Sequence, residues 1–163
     1  MIDFKNATEN DIPQIQKIAA ETWPATYGKI LSAAQIEYML NLFYSAAALK
    51  NSMKSQNFIF AFHQDEVLGF CGIEHNFHSA PTTRIHKLYI LPKSQGLSIG
   101  KKFIEKITEM ARINGCNKLS LNVNRYNSAL GFYKHIGFTI IREENIAIGN
   151  DYLMEDYVME KDI

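Results

Sequence analysis

Residues 88–101 read Leu-Tyr-Ile-Leu-Pro-Lys-Ser-Gln-Gly-Leu-Ser-Ile-Gly-Lys, and no other stretch of the chain is as informative. An apolar run that stops at a proline predicts a strand, two glycines predict a loop, and helical spacing of apolar residues begins at Ile99. The first turn of a helix has N–H groups without partners and a partial positive charge. We therefore expect the backbone of Gly96 to Lys101 to bind an anion, with a plain strand–helix turn as the alternative. The glycine spacing matches neither the dinucleotide fingerprint nor the P-loop.

The rest of the chain predicts helices and strands on both sides of this loop. Pro24 is expected to end the first helix, and Ser32 with Gln35 forms a capping box that begins the second. Alternating and helical apolar spacings give the following order: a strand at Ile2–Lys5, helices from Thr8 to Thr22, after Ser32 and at Ala46–Met53, a hairpin at Phe58–Ile73, a strand at Thr83–Leu91, a helix from Ile99 to a terminal Gly115, a strand at Leu119–Val123, a helix at Asn127–His135, and a hairpin of Phe138–Arg142 with Tyr152–Met159. This order predicts an α/β fold with a mixed (α+β) sheet, in one domain over residues 1–163.

Composition narrows the class of protein. Of 163 residues, 47% are hydrophobic and 21% are charged, and the formal net charge is zero. A non-specific nucleic-acid binder would carry a basic excess, so we expect no nucleic-acid partner. No apolar run approaches the roughly 18 residues of a membrane span, and residues 1–10 do not resemble a signal peptide. We therefore expect no membrane association and a cytoplasmic location, with Cys71 and Cys116 as idle thiols and no metal site.

A second motif covers residues 127–138, Asn-Ser-Ala-Leu-Gly-Phe-Tyr-Lys-His-Ile-Gly-Phe. From the residues alone, Asn127 is a helix N-cap, Gly137 ends the helix, and the apolar positions belong to the core. Tyr133 is the residue that this interpretation explains least, because it could be either a packed aromatic or a functional hydroxyl.

Together the two motifs resemble those of the GNAT superfamily of N-acetyltransferases. In that family the loop reads Gln/Arg-x-x-Gly-x-Gly/Ala, so Gln95 and Gly100 match and Ser98 replaces the usual middle glycine. The resemblance implies the GNAT acyl-CoA N-acyltransferase fold, with acetyl-CoA as the acyl donor. It implies that backbone N–H groups of the loop bind the pyrophosphate and that the strand before it pairs with the pantetheine arm. The implied cofactor-binding residues are Leu88, Tyr89, Ile90, Gln95, Gly96, Leu97, Ser98, Ile99, Gly100, Lys101, Asn127 and Tyr133.

Acetyl transfer to an amine needs a proton acceptor, an oxyanion donor and an acid for the thiolate. The resemblance assigns the acid to Tyr133 and the oxyanion donor to the backbone N–H of Ile90. The glutamate that acts as base in the histone-acetylating branch is replaced by Arg84, so the base is open, with His86 and Glu74 as candidates. Strict alternation would place Arg84, His86 and Leu88 on one face of their strand.

The resemblance also implies that the acceptor lies between the first helices and the last hairpin. Aromatic and acidic side chains there would suit a cationic amine, although they could also be core and solvated residues: Trp23, Tyr27, Tyr38, Tyr126, Glu21, Glu37, Asp151 and Glu155. The resemblance favours transfer to a small primary amine or polyamine. Acetylation of a protein N-terminus or lysine, and a non-catalytic acyl-CoA-binding regulator, remain alternatives. We expect acetyl-CoA and an amine as partners, and a homodimer is possible.

Overall fold

The computed structural model describes all residues from Met1 to Ile163. Its regular elements, in chain order, are β1 (Ile2–Asn6), α1 (Ile12–Tyr27), α2 (Ala33–Tyr44), α3 (Ala46–Ser52), β2 (Asn57–His63), β3 (Glu66–Glu74), β4 (Thr82–Ile90), α4 (Ile99–Ile113), β5 (Lys118–Asn124), α5 (Ala129–His135), β6 (Thr139–Ala147) and β7 (Leu153–Asp162). The mixed α/β architecture predicted from the sequence is confirmed. No helix is long and apolar enough to cross a membrane.

The strands form a seven-stranded sheet in the order β1-β2-β3-β4-β5-β7-β6. Every neighbouring pair is antiparallel except β4 and β5, which are parallel. Their pairing runs only from Thr82 with Lys118 to Ile85 with Leu121. Beyond that point the two strands separate, which leaves one edge of β4 from His86 to Ile90 without a strand partner.

A β-bulge in β4 changes which side chains share a face. Gly72 of β3 pairs with Lys87 and Ile73 pairs with Ile85, so His86 is the extra residue. Such a bulge interrupts the alternation of side chains. Consequently Leu88 packs with Ile85 in the core on the α4 side. Arg84 and His86 instead both contact the ring of Phe77, so the prediction that Leu88 shares their face is wrong.

Two apolar cores cover the faces of the sheet. The larger one joins α4 to β3, β4 and β5, and its buried residues include Phe103, Ile107 and Leu121. The smaller one joins α1, α2 and α3 to the opposite face through residues such as Trp23 and Phe70. Burial of this much apolar surface is the main driving force for the fold, and it fixes the helices on either side of the separated strands.

The predicted end of the first helix is also wrong. Helix α1 continues through Pro24 to Tyr27, and the N–H of Gly28 donates to the Pro24 carbonyl at 2.9 Å. Proline removes one helical hydrogen bond and usually kinks or ends a helix. Here burial outweighs that cost, because Trp23 and Tyr27 pack on each other with ring centroids 4.7 Å apart and Trp23 is buried.

Candidate active site

The unpaired edge of β4 presents backbone groups to an open cleft. The N–H of Leu91 donates to the Leu68 carbonyl at 2.8 Å, so these opposite residues form a hydrogen-bonded pair. Hydrogen-bonded and non-bonded pairs alternate along an antiparallel ladder. Tyr89 is therefore bonded to β3, whereas the N–H and C=O groups of Leu88 and Ile90 point away from β3 into the cleft.

The cleft is a cavity of about 460 Å³ between β4 and β5. Its lining includes Leu88, Tyr89 and Ile90 on one side and Leu121 to Val123 on the other. At its end lie Gln95 and Gly100 near the start of α4, Asn127 just before α5, and Tyr133 within α5. Many of the residues that the resemblance implied for the cofactor are thus brought together around one cavity.

The glycine loop supplies backbone groups to this region rather than side chains. Gly96, Leu97, Ser98 and Lys101 are exposed, and the Ile99 side chain is buried in the core. Ser98 is the N-cap of α4 with φ of 58°, a left-handed conformation that strains a residue with a Cβ. That backbone conformation explains why a glycine is usual at this position.

Two residues of the second motif lie at the inner end of the cleft. The Asn127 side-chain oxygen accepts from the N–H of Ala129 at 2.9 Å in the turn that leads into α5, which leaves its amide N–H₂ group available. Tyr133 is buried, and its ring packs edge-on against Phe138. Burial raises the pKa of Tyr133, so its hydroxyl stays protonated at neutral pH.

A second cavity, of about 390 Å³, lies on the other face of β4. Helices α1 and α2, the strand β4 and the β6–β7 hairpin enclose it, and its aromatic walls are Trp23, Tyr27, Phe43, Tyr44 and Tyr89. Two hydrogen bonds tie α2 to the hairpin beside it: the Tyr38 hydroxyl donates to the Ile148 carbonyl at 2.7 Å and the Gln35 amide donates to the Leu153 carbonyl at 3.0 Å. We name this second cavity the acceptor cavity.

Only part of the predicted acceptor set lines the acceptor cavity. Trp23 and Tyr27 do. Tyr38 does not line the cavity and instead forms a hydrogen bond between α2 and the hairpin. Tyr126 is 64% exposed and also lies outside the lining. None of the four predicted carboxylates contributes to the lining, which contains Asp156 as its only acid; the four are Glu21, Glu37, Asp151 and Glu155.

The two cavities share a wall formed chiefly by β4. The residues that line both are Tyr27, Ile85, His86, Lys87, Tyr89 and Asn122. His86 and Glu74, which the sequence offered as rival bases, are hydrogen-bonded to each other, with 2.8 Å between His86 Nε2 and Glu74 Oε2. Burial lowers the pKa of His86, and the hydrogen bond to Glu74 opposes that change. The imidazole is therefore mostly neutral at pH 7.

A polar network forms the floor of the acceptor cavity. Arg84 Nη1 donates to the Ser120 hydroxyl at 2.8 Å, and Nη2 donates to the Asn122 side-chain carbonyl. The Asn122 amide in turn donates to Asp156 at 3.3 Å. Asp156 is only 3% exposed, and burial raises the pKa of its carboxyl.

Asp156, Asn122 and Lys87 are members of the site that the sequence interpretation missed. Asp156 had a detectable signal, because it lies two residues before the buried Val158 and so shares its inward face of β7. Lys87 had none, because the bulge at His86 decides which face it occupies. The lone amide of Asn122 likewise carries no pattern of its own.

Known proteins resemble this chain in sequence and in fold. The profile of the acetyltransferase (GNAT) family matches residues 12–138. A spermidine N(1)-acetyltransferase of Thermoplasma acidophilum is 27% identical over 161 residues, covering 94% of this chain and 96% of the relative. The crystal structure of a PaiA N-acetyltransferase from the same organism, in complex with coenzyme A, superposes with a TM-score of 0.84 at 25% identity and covers 100% and 99% of the two chains. An acetyltransferase of Elizabethkingia anophelis with acetyl-CoA bound shares the fold, with a TM-score of 0.65 at 16% identity over 99% and 98% of the two chains.

Proposed function

The chain belongs to the acetyltransferase (GNAT) family, with acetyl-CoA as acyl donor, and on this premise we propose that it transfers the acetyl group to the primary amine of a small molecule. The observation that carries the proposal is the contact between two cavities across β4. One offers free backbone groups and a helix N-terminus, which suit a pantetheine arm and its phosphates. The other offers aromatic walls, which suit an amine.

The proposed base is His86, oriented by Glu74. If His86 Nε2–H donates to Glu74, the Nδ1 lone pair is free to take a proton from the attacking amine. His86 lines both cavities, so it lies on the boundary that the amine nitrogen must cross to reach the thioester carbonyl. Its lowered pKa supports this role, because a base must be unprotonated before it acts.

The remaining steps are assigned to Ile90 and Tyr133. As the amine nitrogen bonds to the carbonyl carbon, negative charge develops on the carbonyl oxygen, and the cleft-facing N–H of Ile90 is the donor that can stabilise it. Cleavage of the C–S bond then yields the amide and a thiolate. The protonated hydroxyl of Tyr133 is the acid that neutralises the thiolate, and the tyrosinate recovers its proton from protonated His86 through solvent.

Enclosure of the acceptor cavity supports a small acceptor over a protein. The two hydrogen bonds between α2 and the β6–β7 hairpin close one side of the cavity, which limits the room for an extended peptide. The relative named for spermidine makes polyamines one class to test. The cytoplasmic location and the possible homodimer stay predictions.

Release of free thiol from acetyl-CoA in the presence of a panel of amines tests the proposal. We expect release with at least one small primary amine, together with an acetylated product of the expected mass. His86→Gln should lower kcat by about 10²- to 10⁴-fold, the usual contribution of a general base. His63→Gln is the matched control, because His63 is exposed at the end of β2.

Thiol release that no amine increases above the background of hydrolysis would contradict the proposal. Release with peptide amines alone would favour the protein-acetylating alternative. Binding of acetyl-CoA without turnover of any amine or peptide would favour the non-catalytic regulator.

A further inference from the structure

The charges around the acceptor cavity do not match a polycation. Its lining contains one carboxylate, Asp156, against the two cationic side chains of Arg84 and Lys87. Neither cation belongs to any of the ion pairs of the protein. Lys87 Nζ contacts only the Gln56 side-chain carbonyl, at 3.4 Å, and the faces of aromatic rings. A polyamine would bring further ammonium groups beside two cations that form no direct ion pair.

Arg84 has a donor that nothing in the protein satisfies. Its two terminal nitrogens donate to neutral groups, the Ser120 hydroxyl and the Asn122 amide oxygen. Its Nε is buried and has no acceptor. A half-buried charge without a direct ion pair is costly, and an anionic ligand beside the guanidinium would offset that cost.

Asp156 lies on the other side of Asn122 from Arg84. Asn122 accepts from Arg84 and donates to both Asp156 and Glu144, so one amide separates a cation from two carboxylates. The cavity floor thus presents positive charge at one point and negative charge at another. This arrangement is complementary to a small molecule that carries an ammonium group and a carboxylate.

We propose that the acceptor is an amine that also carries a carboxylate, such as an amino acid or a close derivative, and that Arg84 binds this carboxylate. The inference rests on the proposed function and narrows its substrate class. Guanidinium and carboxylate groups form strong charge-assisted hydrogen bonds. Because Arg84 is half-buried, such bonds would be stronger there than in water. Arg84 acts here as a specificity-determining residue and takes no part in the proton transfers.

Three acceptors that differ at one group test the inference: L-lysine, L-lysinamide and cadaverine. The amide keeps the size of the carboxyl group and removes its charge, and cadaverine lacks the group altogether. Steady-state thiol release should give a kcat/KM for L-lysine at least about tenfold above that of the other two and of spermidine, as expected for one charge-assisted hydrogen bond. L-Phenylalanine against phenethylamine repeats the comparison with an aromatic side chain.

Arg84→Met should lower kcat/KM for L-lysine at least about tenfold more than for cadaverine, and Arg84→Lys should retain part of the preference. Arg112→Met, a change of an exposed arginine on α4, should leave the ratio unchanged. If Arg84→Met fails to fold, the wild-type comparison of acid, amide and diamine still decides.

Different failures have different meanings. Equal or better use of L-lysinamide, cadaverine or spermidine overturns this inference and leaves the proposed function intact. An equal loss for both acceptors in folded Arg84→Met also overturns it, because Arg84 would then be structural. Absence of thiol release with every amine overturns the proposed function, and this inference with it.

Discussion

The hydroxyl of Tyr133 can be tested separately from its ring. Tyr133→Phe keeps the edge-on packing against Phe138 and removes only the hydroxyl. If that hydroxyl protonates the thiolate, kcat should fall by about 10²- to 10⁴-fold, while the affinity for coenzyme A stays within about twofold, because the interaction exists chiefly in the transition state. Steady-state kinetics and calorimetric titration with coenzyme A measure the two quantities.

Tyr126→Phe is the control for Tyr133→Phe. Tyr126 is 64% exposed and lines neither cavity, so the kcat of Tyr126→Phe should equal that of the wild type. An unchanged kcat for Tyr133→Phe, with chemistry shown to limit the rate, would mean that Tyr133 is a packing residue.

Lys87 should make stability depend on pH in the alkaline range. Burial lowers its pKa to about 8, below the value of about 10.4 in an unfolded chain. Between these values the unfolded state binds more protons, so the contribution of Lys87 to stability improves as pH rises. Lys87→Met removes this titration. The stability advantage of the variant over wild type should therefore be largest below pH 8 and should shrink toward pH 9.5.

Chemical denaturation at a series of pH values measures that difference for Lys87. Lys54→Met is the control, because Lys54 is exposed and forms no ion pair. A difference between Lys87→Met and wild type that stays constant from pH 7 to 9.5 would contradict the burial of this ammonium group.

At the scale of elements, the contact between α4 and α5 can be probed with two helical glycines. A Cβ on Gly100 would lie 3.0 Å from the Phe132 ring and 3.4 Å from Ile90, whereas a Cβ on Gly131 would meet nothing within 4 Å. Both changes to alanine gain the same helix propensity. Gly131→Ala should therefore raise the free energy of unfolding by about 0.5–1 kcal/mol. Gly100→Ala should be less stable than Gly131→Ala by about 1–3 kcal/mol, because the Phe132 ring must move.

Urea denaturation of the two glycine variants and wild type supplies the comparison. Equal stabilisation by both substitutions would show that the Phe132 ring moves away from α4 at little cost. Gly100 would then not be required for the close packing of α4 and α5.

The elements also show where sequence reasoning works and where it stops. The glycine loop and the turn at Asn127 depend on local backbone geometry, which residue type largely controls, so the sequence predicted both to within one residue; the N-cap of α5 is Ser128 rather than Asn127. The bulge at His86 and the passage of α1 through Pro24 depend on tertiary packing, which has no local signal. The bulge alone moves Leu88 to the core face and leaves Lys87 on the acceptor side. For that reason many residues predicted for the cofactor line one cleft, whereas most of those predicted for the acceptor do not line the acceptor cavity.

Across the whole molecule, the separated strands divide the sheet into two parts that a ligand can connect. The parallel β4–β5 pairing is short, running only from Thr82 to Ile85 on β4, and the cleft opens immediately beyond it. Coenzyme A in this cleft would contact both β4 and α5, and it would bind only the folded state. At about 100 times its Kd it should stabilise the fold by roughly 2.7 kcal/mol, which a thermal shift detects.

Amide hydrogen exchange resolves where coenzyme A acts. The N–H groups of Leu88 and Ile90 face the cleft, so they should exchange fast without ligand and become protected when coenzyme A is bound. The N–H of Tyr89 between them is already bonded to β3, so its exchange should change only as much as global stability does. Residue-resolved exchange by NMR, with and without saturating coenzyme A, measures all three amides in one experiment. Equal changes at all three would indicate general stabilisation alone, and protection of Tyr89 without Leu88 and Ile90 would contradict the assignment of β4's free edge as the cofactor-binding strand.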